Sequence, residues 1–116
     1  MTLEIYHNPR CSKSRQALSL IEGKGIKPVV VEYLETPPDA AALARILDLL
    51  GMEPRGLMRK QETEYQELAL DNPGLSREAL IQAMVEHPNL IERPIVIKDG
   101  VRAALGRPPE LILELL

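Results

Sequence analysis

Two short apolar runs in the first third of the chain constrain its fold more than any other feature. Thr2–Tyr6 (TLEIY) alternates briefly and then meets the breaker His7-Asn8-Pro9, which marks a strand. Pro28–Tyr33 (PVVVEY) is β-branched, too short and too apolar for an exposed helix, and reads as a second strand, buried and parallel to the first. Between them Ala17, Leu18, Leu20 and Ile21 recur at helical spacing, from a start near Cys11 or Ser12 to a stop at Gly23 and Gly25. Strand, helix and strand in that order predict a right-handed βαβ unit.

The middle of the chain is helical in pattern. Thr36-Pro37-Pro38-Asp39 is a helix start, followed by Leu43, Ile46, Leu47 and Leu50 and closed by Gly51. Pro54–Arg59 reads as a turn, Glu62–Leu70 as a helix ended by Asn72-Pro73-Gly74, and Ser76–Val85 as another that stops at His87-Pro88. Pro94–Lys98, the turn Asp99-Gly100 and Val101–Leu105 predict a hairpin, because Asp-Gly between apolar runs suits a tight turn. Pro108-Pro109 then opens a final amphipathic helix carrying Leu111, Ile112 and Leu115. The order predicts a single α/β domain over residues 1–116. It is thioredoxin-like (glutaredoxin-like), βαβ…ββα, with a mostly helical insertion over about 39–88.

The composition, 45% apolar and 27% charged, is that of a globular chain, and it excludes intrinsic disorder. A net charge of −3 argues against nucleic-acid binding by general basicity. One cysteine and two histidines exclude an intrachain disulfide, a cysteine-clustered metal site and a His-rich one, so no metal is expected. No stretch approaches the roughly 20 apolar residues of a membrane span, and the N-terminus lacks the run of a signal peptide. The expectation is a cytoplasmic protein whose cysteine stays a free thiol.

That cysteine, Cys11, falls at the strand–loop–helix junction. A thiol at a helix N-terminus meets unpaired backbone N–H groups and the positive end of the helix dipole, both of which favour thiolate. Arg10 is adjacent, Arg15 lies one turn on, and His7 is near enough in sequence to pair with the sulfur or to stabilise an incoming anion. A free cysteine is often only a small core residue. The polar neighbours Asn8, Arg10, Ser12, Lys13 and Ser14 weigh against that here. A phosphatase-type loop would need arginine where Ala17 stands, and a dithiol motif would need cysteine where Ser14 stands. A redox role for Cys11 therefore requires a thiol from another molecule, such as glutathione or a glutaredoxin.

Arg59, Arg93 and Arg107 all fall at element boundaries, the last two directly before prolines. An isolated arginine is most simply a solvated charge. Several converging guanidiniums would instead hold a tetrahedral oxyanion, since each matches two oxygens at once. Spacing alone leaves both readings open. By frequency alone the Arg93–Pro94 bond would be trans.

His7-Asn8-Pro9-x-Cys11, Tyr33-Leu-Glu-Thr-Pro-Pro38, Leu57-x-Arg59-Lys60, Ile91-x-Arg93-Pro94-Ile-Val96 and Arg107-Pro108-x-Glu110 come in the order of a known family and span nearly the whole chain. The chain resembles the glutaredoxin-coupled arsenate reductase (ArsC) family. The resemblance implies a thioredoxin-like fold with a helical insertion and a cis proline at Pro94. It makes Cys11 the nucleophile that forms a covalent adduct with arsenic. Arg59, Arg93 and Arg107 would hold the oxyanion, His7 would assist the thiolate, and Asn8, Ser14, Arg15 and Pro94 would line the substrate site. No bound cofactor is implied. Glutathione is the reducing co-substrate, glutaredoxin resolves the adduct, and the expected form is a monomer acting on arsenate or a related oxyanion, without nucleic-acid or membrane partners.

Two other readings stay open. One is a glutathione-dependent thiol reductase with another substrate, for which Arg10 before Cys11 and Ser12-Lys13 after it are the relevant departures. The other is an Spx-like redox regulator that binds RNA polymerase. Such regulators carry a Cys-x-x-Cys switch, which Ser14 removes.

Overall fold

β1 (Leu3–Tyr6) is the strand on which the site-bearing part of the chain is built, and its alternation sets which side chains are buried. Leu3 and Ile5 are enclosed while Glu4 and Tyr6 are partly exposed. The computed structural model describes all 116 residues, Met1–Leu116. They form two units, one of Met1–Thr36 with Arg93–Leu116 and one of Pro37–Glu92.

In the first unit β1 is followed by α1 (Ser12–Gly23) and β2 (Val29–Val31), and the chain returns as β3 (Ile95–Lys98), β4 (Arg102–Leu105) and a 3-10 segment over Pro109–Leu115. The sheet order is β2-β1-β3-β4. Ile5 faces Val30 across a parallel pair and Val96 across an antiparallel one, and β3 pairs antiparallel with β4. This is the thioredoxin-like βαβ…ββα order. Leu3, Ile5, Ala17, Ile21, Val96, Ile112 and Leu115 form one core cluster, to which α1 gives Ala17 and Ile21 from a single face. Each large aliphatic side chain so enclosed contributes about 1.5–3 kcal/mol.

The second unit is helical. α2 (Ala40–Leu50) starts where the Asp39 carboxylate accepts the Ala42 N–H at 2.8 Å and stops at Gly51, whose φ of 66° suits glycine. α4 (Arg77–Glu86) starts in the same way, with Ser76 Oγ accepting from Ala79 N–H at 3.1 Å. A cap of this kind is worth about 1 kcal/mol. Between them lie a 3-10 turn over Pro54–Leu57 and α3 (Thr63–Glu67), and after them a 3-10 turn over Pro88–Leu90. Leu43, Ile46 and Leu47 of α2 and Leu80, Ile81 and Met84 of α4 are buried. No helix is long and apolar enough to cross a membrane.

The structure corrects four expectations. β2 is parallel to β1 but not buried, for Val29 is 55% and Val30 44% exposed. It is the edge of the sheet with a neighbour on one side only, so its valines reflect β-propensity more than enclosure. The helix read over Glu62–Leu70 is only Thr63–Glu67, because Ala69 takes φ 50° and turns the chain back. β4 begins at Arg102, since Asp99 and Gly100 both adopt positive φ and Val101 completes the loop, exposed. The last segment is 3-10 and not α. Leu111 N–H reaches Pro108 O at 3.1 Å, the i to i+3 bond of a 3-10 turn, in a seven-residue segment whose first member is Pro109. Arg93–Pro94 is cis, as the family resemblance implied and frequency alone did not; Arg107–Pro108 is cis as well.

Candidate active site

Cys11 is the residue before α1, in extended conformation (φ −95°, ψ 123°), so its side chain stands beside the first turn. Its position follows from the loop. Cys11 N–H donates to Asn8 O at 3.0 Å, Arg10 N–H to Asn8 Oδ1 at 3.0 Å, and the Arg15 guanidinium to Pro9 O at 2.9 Å. His7 N–H donates to Val31 O at 2.9 Å and anchors the near end of this loop to β2. Asparagine and proline in a loop that must stay close to its own backbone explain why the break follows Tyr6 at once.

Cys11 is 9% exposed. Burial alone pushes its thiol up, yet the net effect is a pKa below the ordinary thiol value. The backbone N–H of Ser14, the guanidinium of Arg93, the backbone N–H of Lys13 and the guanidinium of Arg107 together outweigh the desolvation. Arg93 and Arg107 are also linked directly, Arg107 Nη1 donating to Arg93 O at 3.2 Å. The structure thus brings two of the three sequence-marked arginines to the cysteine.

Arg59 belongs to the other unit. An antiparallel bridge between Met58 and Ile91 frames it, with Arg59 N–H on Leu90 O at 2.7 Å and Glu92 N–H on Leu57 O at 2.8 Å. Its guanidinium lies 2.8 Å from Glu62 and 3.7 Å from Glu92, with 19% of the side chain exposed. It is neither a free surface charge nor an unopposed one.

His7 is 6% exposed, and its Nδ1 lies 2.6 Å from Ser14 Oγ. Burial lowers its pKa, Glu32 opposes that, and Arg15 adds to it, so the neutral ring is favoured. Among the groups expected to meet substrate, Ser14 is wholly buried, and its hydroxyl also takes the Asn8 N–H at 3.0 Å. Pro94 is buried against Gly106, whose N–H donates to Pro94 O at 2.8 Å. A Cβ on Gly106 would stand 2.8 Å from Pro94 Cγ, so any side chain there would force its neighbours to shift. The sequence reading missed Gly106, although a glycine between a strand pattern and an Arg-Pro pair is the sign of a close backbone approach.

Two concavities open near the loop. One of about 460 Å³ is lined by Ser12, Arg15, Gln16, Ser19, Pro109 and Glu110 among others, and one of about 230 Å³ by His7, Asn8, Pro9, Arg10, Glu32 and Glu35 among others. Neither includes Cys11, Arg93 or Arg107. The thiol and its two guanidiniums thus lie outside the lining of both hollows. A depressed-pKa thiol beside two guanidiniums can attack an electrophile that arrives as an anion.

The family model described as the ArsC family matches residues 6–115. The chain is 56% identical over 115 residues to an uncharacterized protein, YfgD, of Escherichia coli K12, covering 98% of this chain and 96% of that one. It is 54% identical over 111 residues to an arsenate reductase of Neisseria meningitidis, covering 95% and 94%. A solved arsenate reductase from Vibrio cholerae superposes with a TM-score of 0.96 at 53% identity, covering 100% of this chain and 98% of that one. With the matched region reaching from β1 to the last 3-10 segment, and with the thiol and arginine blocks inside it, this chain belongs to the ArsC family.

Proposed function

We propose that this protein reduces arsenate to arsenite, with Cys11 as nucleophile and glutathione and glutaredoxin as the source of electrons. The observation that carries the reading is the lone thiol, held below its ordinary pKa by Arg93 and Arg107 and by the first backbone N–H groups of α1. The names of the Neisseria and Vibrio relatives support arsenate as the substrate.

The Cys11 thiolate attacks arsenic, an S–As bond forms, and one oxygen leaves as water. Glutathione thiolate displaces a second oxygen in the same way. A glutaredoxin thiolate then attacks the glutathione sulfur. The glutathione S–As bond breaks with its electron pair left on arsenic, which becomes As(III), and a glutaredoxin–glutathione disulfide departs. Water cleaves the remaining S–As bond, releasing arsenite and regenerating Cys11. Two thiols supply the two electrons, and no bound cofactor or metal takes part.

Arg93 and Arg107 offset the charge of the incoming oxyanion and of the adduct. Arg59 enters as a third oxyanion-binding arginine through its place in the family's pattern. His7 supports the thiolate, and Asn8, Ser14, Arg15 and Pro94 shape the loop that receives substrate. The reading includes a monomer in the cytoplasm, where reduced glutathione is available.

The test is arsenite formation by the purified chain with arsenate, glutathione and glutaredoxin. Product should form only when both thiol components are present and should vanish in Cys11→Ser. A wild-type chain that yields no arsenite under these conditions would overturn the assignment.

A further inference from the structure

Serine just inside a helix start usually returns its hydroxyl to its own backbone. Ser14 does something else. Its side chain is fully enclosed, and its Oγ reaches back to the strand-end loop, where it accepts the Asn8 N–H at 3.0 Å and lies 2.6 Å from His7 Nδ1. A hydroxyl has one proton and two lone pairs, so these two contacts fit one group together. Asn8 in turn takes the Cys11 N–H on its carbonyl at 3.0 Å. The loop around the sulfur is therefore pinned on both sides of Cys11, through Asn8 before it and Ser14 after it.

We propose that Ser14 is a positioning residue for Cys11. Its buried hydroxyl, held between the His7 ring and the Asn8 amide, fixes the first turn of α1 so that the Ser14 backbone N–H is directed at the sulfur. Burial matters, because water cannot replace the hydroxyl, and losing it leaves the Asn8 N–H without its partner. Cys11 also feels Arg93, which precedes β3, and Arg107, which follows β4. His7 feels Glu32, just after β2, and Arg15 on α1. None of these charged groups is removed by changing Ser14, so an effect of that change reports the lock itself. The inference rests on Cys11 being the reacting thiol of the proposed reaction, but its readout needs no arsenate.

The chain has a single cysteine, so the pH dependence of iodoacetamide alkylation reports Cys11 alone. Wild type should show a midpoint below the free-thiol value of about 8.5. Ser14→Ala and His7→Leu should raise that midpoint and slow alkylation about three- to tenfold at pH values below it, the loss expected from one misplaced hydrogen-bond donor. His7→Asn keeps a polar side-chain atom near the Nδ1 position and should hold the midpoint well below that of His7→Leu. Thermal melts of the same samples establish that each is folded, and if Ser14→Ala is not, the two His7 variants decide. A folded Ser14→Ala with the wild-type midpoint overturns the proposal. So does a His7→Asn midpoint raised as far as that of His7→Leu, since that would make the ring itself and not its hold on Ser14 the cause. Failure of arsenate reduction with the midpoints shifting as described would sink the proposed function and leave the lock standing.

Discussion

Arg107 and Arg59 invite comparison because the sequence presents them alike, each at an element boundary and each in a short block with a neighbouring breaker or cation. Arg107 sits just after β4, where it donates to Arg93 O at 3.2 Å and follows Gly106, which packs on Pro94, and its charge helps to lower the Cys11 pKa. Arg59 sits on the Met58–Ile91 bridge with Glu62 at 2.8 Å and Glu92 at 3.7 Å. Residue type and boundary position are the same, but the partners differ. The lesson is that an arginine's contribution is set by what already offsets its charge. Arg107 acts on a thiol that gains by ionising, whereas Arg59 is held by carboxylates that must share it with any ligand.

The largest test of that contrast is Arg107→Ala. Arsenite formation should fall on the order of 10²-fold, and the alkylation midpoint of Cys11 should rise, because a charge stabilising both thiolate and oxyanion is gone. Arg59→Ala should also slow turnover, but with the alkylation midpoint left at the wild-type value. A midpoint that rises as far in Arg59→Ala as in Arg107→Ala would break the comparison.

Next in size is the loop that carries Arg107. Gly106→Ala should cost about 1–3 kcal/mol in denaturant unfolding, the usual penalty for forcing a methyl into a filled space, since its Cβ would meet Pro94 Cγ at 2.8 Å. An unchanged midpoint of denaturation would show that the Pro94 contact gives way freely.

The smallest expected effect is on acid stability. Burial lowers the pKa of His7, so the unfolded chain binds its proton more readily than the folded one. The contribution is fully present above the unfolded value of about 6.5 and is lost as pH falls from there through the lowered folded value. Thermal melts below pH 6.5 should therefore decline less steeply in His7→Asn than in wild type. Parallel slopes would remove His7 from the acid response.

Much of this was legible before any coordinates. Asp39 and Ser76 announce α2 and α4 because a cap is a local event, readable from one side chain and the next turn. The same holds for Asp99-Gly100, and for Cys11 at the head of α1. The exposure of Val29 and Val30 was not legible, since a β-branched run looks the same in an edge strand as in a buried one, and strand order is a non-local fact. The stop of α3 at Glu67, ahead of the left-handed Ala69, was hidden because alanine rarely takes positive φ. Arg59 could be located but its carboxylate partners could not be ranked. Ser14 read only as a polar neighbour of Cys11 that would line the substrate site. Only the fold turns it inward, to groups six and seven residues back.

The register of the sheet has a consequence for how the thiol comes into being. β1 pairs with β3, Leu3 opposite Lys98, so its central pairing joins segments far apart in sequence. Closing so long a loop means that β1 and β3 pair only once the whole segment between them is available. The two guanidiniums that favour the thiolate, Arg93 and Arg107, belong to the later of the paired segments. Until those segments pair, Cys11 has only the backbone N–H groups of Lys13 and Ser14 to favour its thiolate. The part of the Cys11 pKa lowering that comes from these two charges is therefore a property of the closed sheet and not of the α1 start alone.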